Sequence, residues 1–276
     1  MEYLLLGYVA IISVVALVRA PRWPGCWWLL GAHLLIVLLI YLVRRPGLGA
    51  VGRALRELYP LILLVALYAA LDVLNGAGAA ATHDALVQGW EEALFGMQVS
   101  RVWWQRYPST FWSTVLHGAY LAYYLILSVP ALWFAWRRDF QALRRFIFMV
   151  MATFFVCYLF FVFLPVAGPY YAFPRPDGAF MDNTMARLVY DALASGSSYG
   201  AAFPSSHVAA TVAAAIAATI GSRRLDLLLL VPTILLTVAV VYCQMHYAVD
   251  ALAGLAVGFG VAAVATALER RGMRWG

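Results

Sequence analysis

Apolar residues fill whole segments of this chain instead of recurring on one helical face. Eight segments are predominantly apolar: 3–18, 26–43, 59–75, 111–136, 146–166, 206–221, 226–244 and 249–267. About 20 such residues, at about 1.5 Å rise each, cross the hydrocarbon of a bilayer as a helix. The runs therefore predict membrane spans. The segment 111–136 is longer than a bilayer needs, so tilt or extension past the interface is expected. Two long connections, 76–110 and 167–204, separate the runs, and 245–248 is very short. In the first, Asp84–Phe95 is amphipathic, with Trp90, Trp103, Trp104 and Tyr107 nearby. Aromatic residues favour the membrane interface, which predicts a helix lying on the outer surface, a candidate lid or lipid-entry element. The second is rich in Gly, Pro, Tyr and Asp, as in an ordered loop. The expected fold is an all-α, polytopic transmembrane helical bundle of about eight spans. A six-helix core would occupy 58–276, after two additional N-terminal transmembrane helices in 1–57 and with an outer interfacial helix.

Composition agrees. The 276 residues are 64% hydrophobic and 12% charged, against about half and a quarter in a soluble domain. No separate soluble domain is expected. Glu2 stands where a signal peptide carries positive charge, so the first run is expected to be a retained span. Cys26, Cys157 and Cys243 are not at metal-ligand spacing and are expected to be buried apolar side chains.

All cations are arginines, and the net charge is +6. They sit at the ends of the apolar runs, where they set topology. Thirteen (Arg44, Arg45, Arg53, Arg56, Arg137, Arg138, Arg144, Arg145, Arg223, Arg224, Arg270, Arg271 and Arg274) fall on one side. Six (Arg19, Arg22, Arg101, Arg106, Arg175 and Arg187) fall on the other. The richer side should be cytoplasmic, with both termini inside and the long connections outside. Glu2, Arg19 and Arg22 favour the reverse insertion of the first run; the whole-chain sum outweighs them. No aromatic-interleaved basic stripe appears, so no nucleic acid partner is expected. The charge reads as orientation within membrane lipids, with some attraction to anionic ones. Arginine in place of lysine and abundant alanine match the codon bias of a GC-rich bacterial genome, so a bacterial plasma membrane is the expected location.

Candidate chemistry lies at two span ends. Pro204-Ser205-Ser206-His207 opens the span 206–221. Proline followed by serines starts helices. A first helical turn offers free N–H groups and the positive dipole end, which suit phosphate. Ser205 and Ser206 add hydroxyl donors, and His207 lies within that turn. A serine cap beside an incidental histidine would give the same pattern. The second element is His246-Tyr247-Ala248-Val249-Asp250. If this turn is helical, the i,i+4 spacing places His246 and Asp250 on one face. A carboxylate on one imidazole nitrogen then fixes the tautomer and frees the other as a nucleophile. A His–Asp pair that seals a span end is the alternative. From His207 one span of about 21 Å goes inward and a second of about 29 Å returns to His246. Both histidines should therefore lie on one face.

Other polar residues sit within runs. His117 lies in the run that also holds Tyr120, Tyr123 and Tyr124; it is expected to make a helix–helix hydrogen bond or, as the alternative, to line the headgroup pocket. Asp72 comes late enough in its run to reach the outer surface near the site. Gly254 and Gly258, at small-xxx-small spacing, predict tight packing inside the bundle more than dimerisation. No pattern assigns an oligomeric state.

Both motifs, in order and at suitable separation, resemble those of the type 2 phosphatidic acid phosphatase superfamily. The resemblance covers six spans from about residue 59 onward. It implies that His246 attacks phosphorus and forms a phosphohistidine, that Asp250 orients it, and that His207 protonates the leaving oxygen and then activates the acceptor. It implies no metal and no cofactor, with a lipid phosphate or phospholipid as substrate. Two departures stand out. Gly168 occupies the position of the family's first-motif lysine. Ala239 and Val240 occupy that of the Ser-Arg pair in its third motif. The run Tyr242 to Asp250 and the segment Leu164 to Tyr171 look like the branch that holds inositol phosphorylceramide synthases and related bacterial proteins. Arg175 is the candidate replacement cation and Gln244 or Tyr242 the neutral donor. Tyr170 and His117 complete the residues expected to face substrate. A phosphatase is the leading expectation and a headgroup transferase the alternative. A transporter or scaffold would survive loss of both histidines.

Overall fold

The computed structural model describes residues 1–44, 49–273 and 275. Its helices run in the order α1 (Glu2–Arg19), α2 (Gly25–Val43), α3 (Ala50–Leu74), α4 (Asp84–Phe95), α5 (Val99–Arg106), α6 (Thr110–Trp136) and α7 (Phe140–Phe163). Then come the short α8 (Pro169–Ala172) and α9 (Gly178–Met181), followed by α10 (Thr184–Gly196), α11 (Ser206–Gly221), α12 (Asp226–Tyr242) and α13 (Ala248–Arg270). Each apolar run corresponds to one helix. Among the described residues, seven helices are long and apolar enough to cross a membrane: α1, α2, α3, α6, α7, α12 and α13. The protein is an integral membrane protein.

The eighth apolar helix, α11, has 16 residues, about 24 Å. That is short of the roughly 30 Å hydrocarbon core. Its position explains the tolerance: α11 lies among α6, α7, α12 and α13 and meets protein on nearly all sides. Ala209, Ala210, Ala213, Ala214, Ala217 and Ala218 are fully buried. The seam with α13 is the tightest. A Cβ added at Gly254 would lie 2.6 Å from the Ser205 carbonyl oxygen, and one at Gly258 2.7 Å from that of Ala209. The glycine spacing thus serves an intramolecular seam, which fixes the start of α13 against the start of α11.

The N-terminal pair, α1 and α2, packs on α3, and α1 also touches α7. Tyr8 stacks on Phe155 with ring centroids 4.2 Å apart. Val14, Val18, Trp28, Leu34 and Leu35 face outward, as lipid-facing side chains do. The charges that opposed the arginine sum are held by protein groups. Arg19 donates to the carbonyls of Leu74 (2.9 Å) and Val162 (2.7 Å) and to Asn75 Oδ1 (3.1 Å). It thereby caps the C-terminal ends of α3 and α7. Glu2 pairs with Arg44. Arg45 and Arg274 of that sum, and the side chain of Arg53, lie outside the described residues.

The amphipathic segment forms α4 as expected, but two of its three carboxylates, Asp84 and Glu91, turn inward while Glu92 stays exposed. Asp84 accepts from the N–H groups of Ala167 (2.9 Å) and Gly168 (2.8 Å) and from the Tyr247 hydroxyl (3.0 Å). Buried Glu91 accepts from the N–H of Val99 (2.9 Å) at the start of α5 and of Val249 (3.3 Å) at the start of α13. Burial holds its carboxyl above the usual carboxylate range, and these N–H bonds oppose the rise. The roof over one end of the bundle is therefore bonded to the helix starts beneath it.

Candidate active site

Ser205 caps α11, its hydroxyl accepting from the Val208 N–H at 3.4 Å. Its own N–H donates to the Asp250 carbonyl at 3.0 Å, so that donor is not available to a ligand. As the first two N–H groups of the helix, those of Ser206 and His207 have no intrahelical acceptor. The second motif departs from expectation. His246 precedes the helix, and Tyr247 is the N-cap of α13. Asp250 Oδ2 accepts from the Tyr247 N–H at 2.8 Å and closes a capping box. Gln244, at φ 58°, reverses the chain after α12. The N–H groups of Met245 and His246 both donate to the Val240 carbonyl, at 3.0 and 2.8 Å.

These two turns bring the His207 and His246 ring centroids to 5.6 Å, within reach of a single phosphate group. His246 is 5% exposed. Its Nδ1 lies 3.0 Å from the Ala202 carbonyl oxygen and 3.5 Å from Asp250 Oδ2. A carbonyl only accepts, so Nδ1 carries the proton and Nε2 keeps its lone pair. The backbone of Ala202 thus sets the tautomer, where the sequence pointed to Asp250 alone. Burial pushes His246 down to about 4, against the opposing Ala202 bond, so the ring is neutral at physiological pH. His207 Nε2 lies 3.1 Å from the Tyr120 hydroxyl. The ring sits between Tyr120 and Tyr123, at 4.9 and 4.5 Å between centroids. Among the described residues, its Nδ1 and the Oδ1 of Asp250 are buried without a partner.

The remaining expected residues bond to neighbouring loops and helices and not to the histidine pair. Gln244 accepts from Trp104 Nε1 at 2.7 Å and donates to the Pro174 carbonyl at 2.8 Å, which ties α5 to the long loop. The Tyr242 hydroxyl donates to the Tyr107 carbonyl at 2.7 Å. Arg175 donates to the Tyr170 hydroxyl at 2.9 Å and lies over its ring. His117 is fully buried, with Nδ1 2.8 Å from the Ser113 carbonyl one turn earlier. This bond lies within α6, not between helices. Asp72 accepts from the Tyr199 N–H at 3.2 Å and secures the loop before the first motif.

Gly168 explains one missing cation. At φ 89° and ψ 170° it occupies backbone space reserved for glycine, and a Cβ there would lie 2.8 Å from Ala202 Cβ. No lysine fits beside the residue that orients His246. Ala239 and Val240 are fully buried. Sequence reasoning missed Tyr120, Tyr123, Tyr247, Asp84 and Glu91 as parts of this centre. The tyrosines on the His117 face of α6 were the available signal. Among the described residues, no group of three or more His, Cys, Asp or Glu side chains is placed to hold a metal ion.

Fold and site together define a polytopic helical membrane protein with a histidine pair, one ring buried and one half-buried, at one end of its bundle. The model of the PAP2 superfamily matches residues 87–264. The chain belongs to that superfamily, and membership is consistent with lipid-phosphate processing. The match begins within α4, later than the residue 59 expected, and takes in both histidine motifs. Neither the curated proteins nor the solved structures gave a match.

Proposed function

We propose that the protein is a metal-independent lipid-phosphate phosphatase that works through a phosphohistidine at the outer membrane face. The observation that carries this reading is the 5.6 Å approach of His207 and His246. His246 Nε2 attacks phosphorus, and the ester P–O bond breaks. A protonated His207 delivers its proton to the departing lipid oxygen. The now neutral His207 removes a proton from water, whose oxygen attacks phosphorus. The P–N bond breaks, inorganic phosphate leaves and His246 is restored. Asp250, 3.5 Å from Nδ1, stabilises the positive ring of the intermediate. The N–H groups of Ser206 and His207 receive phosphate oxygens, with the Ser205 and Ser206 hydroxyls beside them. Arg175 supplies charge from the loop with Tyr170, and Gln244 and Tyr242 hold the walls. His117 lies nearer the start of α6 than Tyr120 and shapes the pocket mouth through Ser113, whose hydroxyl donates to the Phe180 carbonyl. Domain roles follow: 58–276 carries the chemistry and 1–57 the additional helices. The arginine-rich end is cytoplasmic.

A transferase reading is favoured by the roof. Trp90 meets Phe203 at 5.5 Å and Phe173 meets Tyr247 at 6.0 Å, and aromatic cover of this kind limits water. The test offers purified protein several lipid phosphates and phosphodiesters, with and without alcohol acceptors, and traps the intermediate by rapid quench. Phosphate release insensitive to acceptor, with acid-labile phosphoprotein absent from His246→Asn, is expected. Acceptor-dependent product moves the assignment to transfer. Turnover that persists in His246→Asn would defeat both readings.

A further inference from the structure

The end of the bundle opposite the histidines holds a cavity that the proposed chemistry does not use. Its volume is about 170 Å³, several times the share of one water, about 30 Å³. The end of α6 supplies Trp133, Phe134 and Arg137, and the turn after α11 supplies Ser222 and Arg224. Phe134 forms a closed wall: a Cβ on neighbouring Gly221 would meet its ring at 2.6 Å.

Of the arginines at this end, Arg44, Arg144 and Arg145 are paired, and the cavity holds two of those that are not. Arg144 and Arg145 pair with Glu57 and Glu269, each at 2.6 Å. Arg137 and Arg224, both exposed, have no ion-pair partner among the described residues. Asp139 also lines the cavity but pairs with neither. Its Oδ1 accepts from the Ala142 N–H at 3.1 Å and caps α7. Depth is set by aromatics. Arg137 lies 5.9 Å from the Trp133 ring centroid, and Trp133 packs against the exposed Trp136 at 5.6 Å. Tryptophans at a span end mark the headgroup level. Two unpaired guanidinium groups at that level, around room for a phosphate, match an anionic headgroup.

We propose that this cavity binds the headgroup of an anionic glycerophospholipid, with its phosphodiester between Arg137 and Arg224. The site is remote from the histidines and stands whether or not they are catalytic. The test is native mass spectrometry of the intact chain, released from detergent with phosphatidylglycerol or phosphatidylcholine as probe. Wild type should retain phosphatidylglycerol preferentially. The double variant R137Q/R224Q should retain roughly tenfold less, with phosphatidylcholine adducts unchanged. Asp139→Asn keeps the helix cap while removing the negative charge, so it should retain more phosphatidylglycerol than wild type. A gain cannot come from misfolding. Arg271→Gln, at the same end but outside the cavity, should match wild type. Undiminished phosphatidylglycerol retention in R137Q/R224Q, equal loss of phosphatidylcholine, or no gain in Asp139→Asn would overturn the proposal.

Discussion

The two ends of the bundle handle charge in opposite ways. At the histidine end, the carboxylates beside the helix starts, Glu91 and Asp250 buried and Asp84 half-buried, are bonded to backbone N–H groups: Asp84 to Ala167 and Gly168, Glu91 to Val99 and Val249, Asp250 to Tyr247. At the arginine end, carboxylates meet guanidinium groups, buried Glu57 with partly exposed Arg144 and Glu269 with Arg145. Partly solvated ion pairs contribute little. Buried carboxylates held by N–H donors fix backbone position, because the alternative is an unsolvated charge. One end is organised for geometry, the other for orientation in the bilayer.

Substitution at the histidines tests this contrast most severely. His246→Asn should lower turnover by about 10⁴-fold or more, the scale of losing a nucleophile. His207→Asn should lose about 10²- to 10⁴-fold, as for a general acid–base group. Both variants should keep their melting temperature within a few degrees, measured beside the activity. Turnover within tenfold of wild type for either would break the comparison, because that end would then be purely structural.

Gly168→Lys comes next. Supplying the cation expected at this position should lower activity, not raise it, since φ 89° and the 2.8 Å approach to Ala202 leave no room. The strain amounts to about 1–3 kcal/mol and is read as a lower midpoint of thermal unfolding. A gain in activity would show that the loop yields and that the missing charge limits the reaction.

The pH response should be smaller but distinctive. Folded His246 takes a proton only near pH 4, against 6.5 for the free group. Between these values the unfolded chain binds more protons, so stability rises with pH across that window and falls on acidification. The acid limb of kcat/KM for free enzyme should accordingly lie well below 6.5. A limb at the ordinary histidine value would place the nucleophile in water. The smallest effect belongs to the arginine end. Glu57→Gln should cost at most about 1 kcal/mol after screening, leaving kcat unchanged. A large loss of activity there would show that the two ends are coupled.

The apolar runs determined the helices by themselves, because a bilayer demands continuous apolar length whatever the neighbours are. The same runs placed His207 and His246 at one end, since helix length fixes where a hairpin returns. Partners were not legible. The Ala202 carbonyl bonds His246 from 44 residues away, and any backbone carbonyl has that capacity. The Tyr120 contact to His207 spans 87 residues and depends on how α6 rotates against α11. The inward turn of Asp84 and Glu91 was not legible either, because amphipathic period shows which residues share a face and not what the polar face meets. Segment length and span-end chemistry were local properties of the chain. The tautomer, the roof and the exclusion of lysine at Gly168 were decided by packing between distant helices.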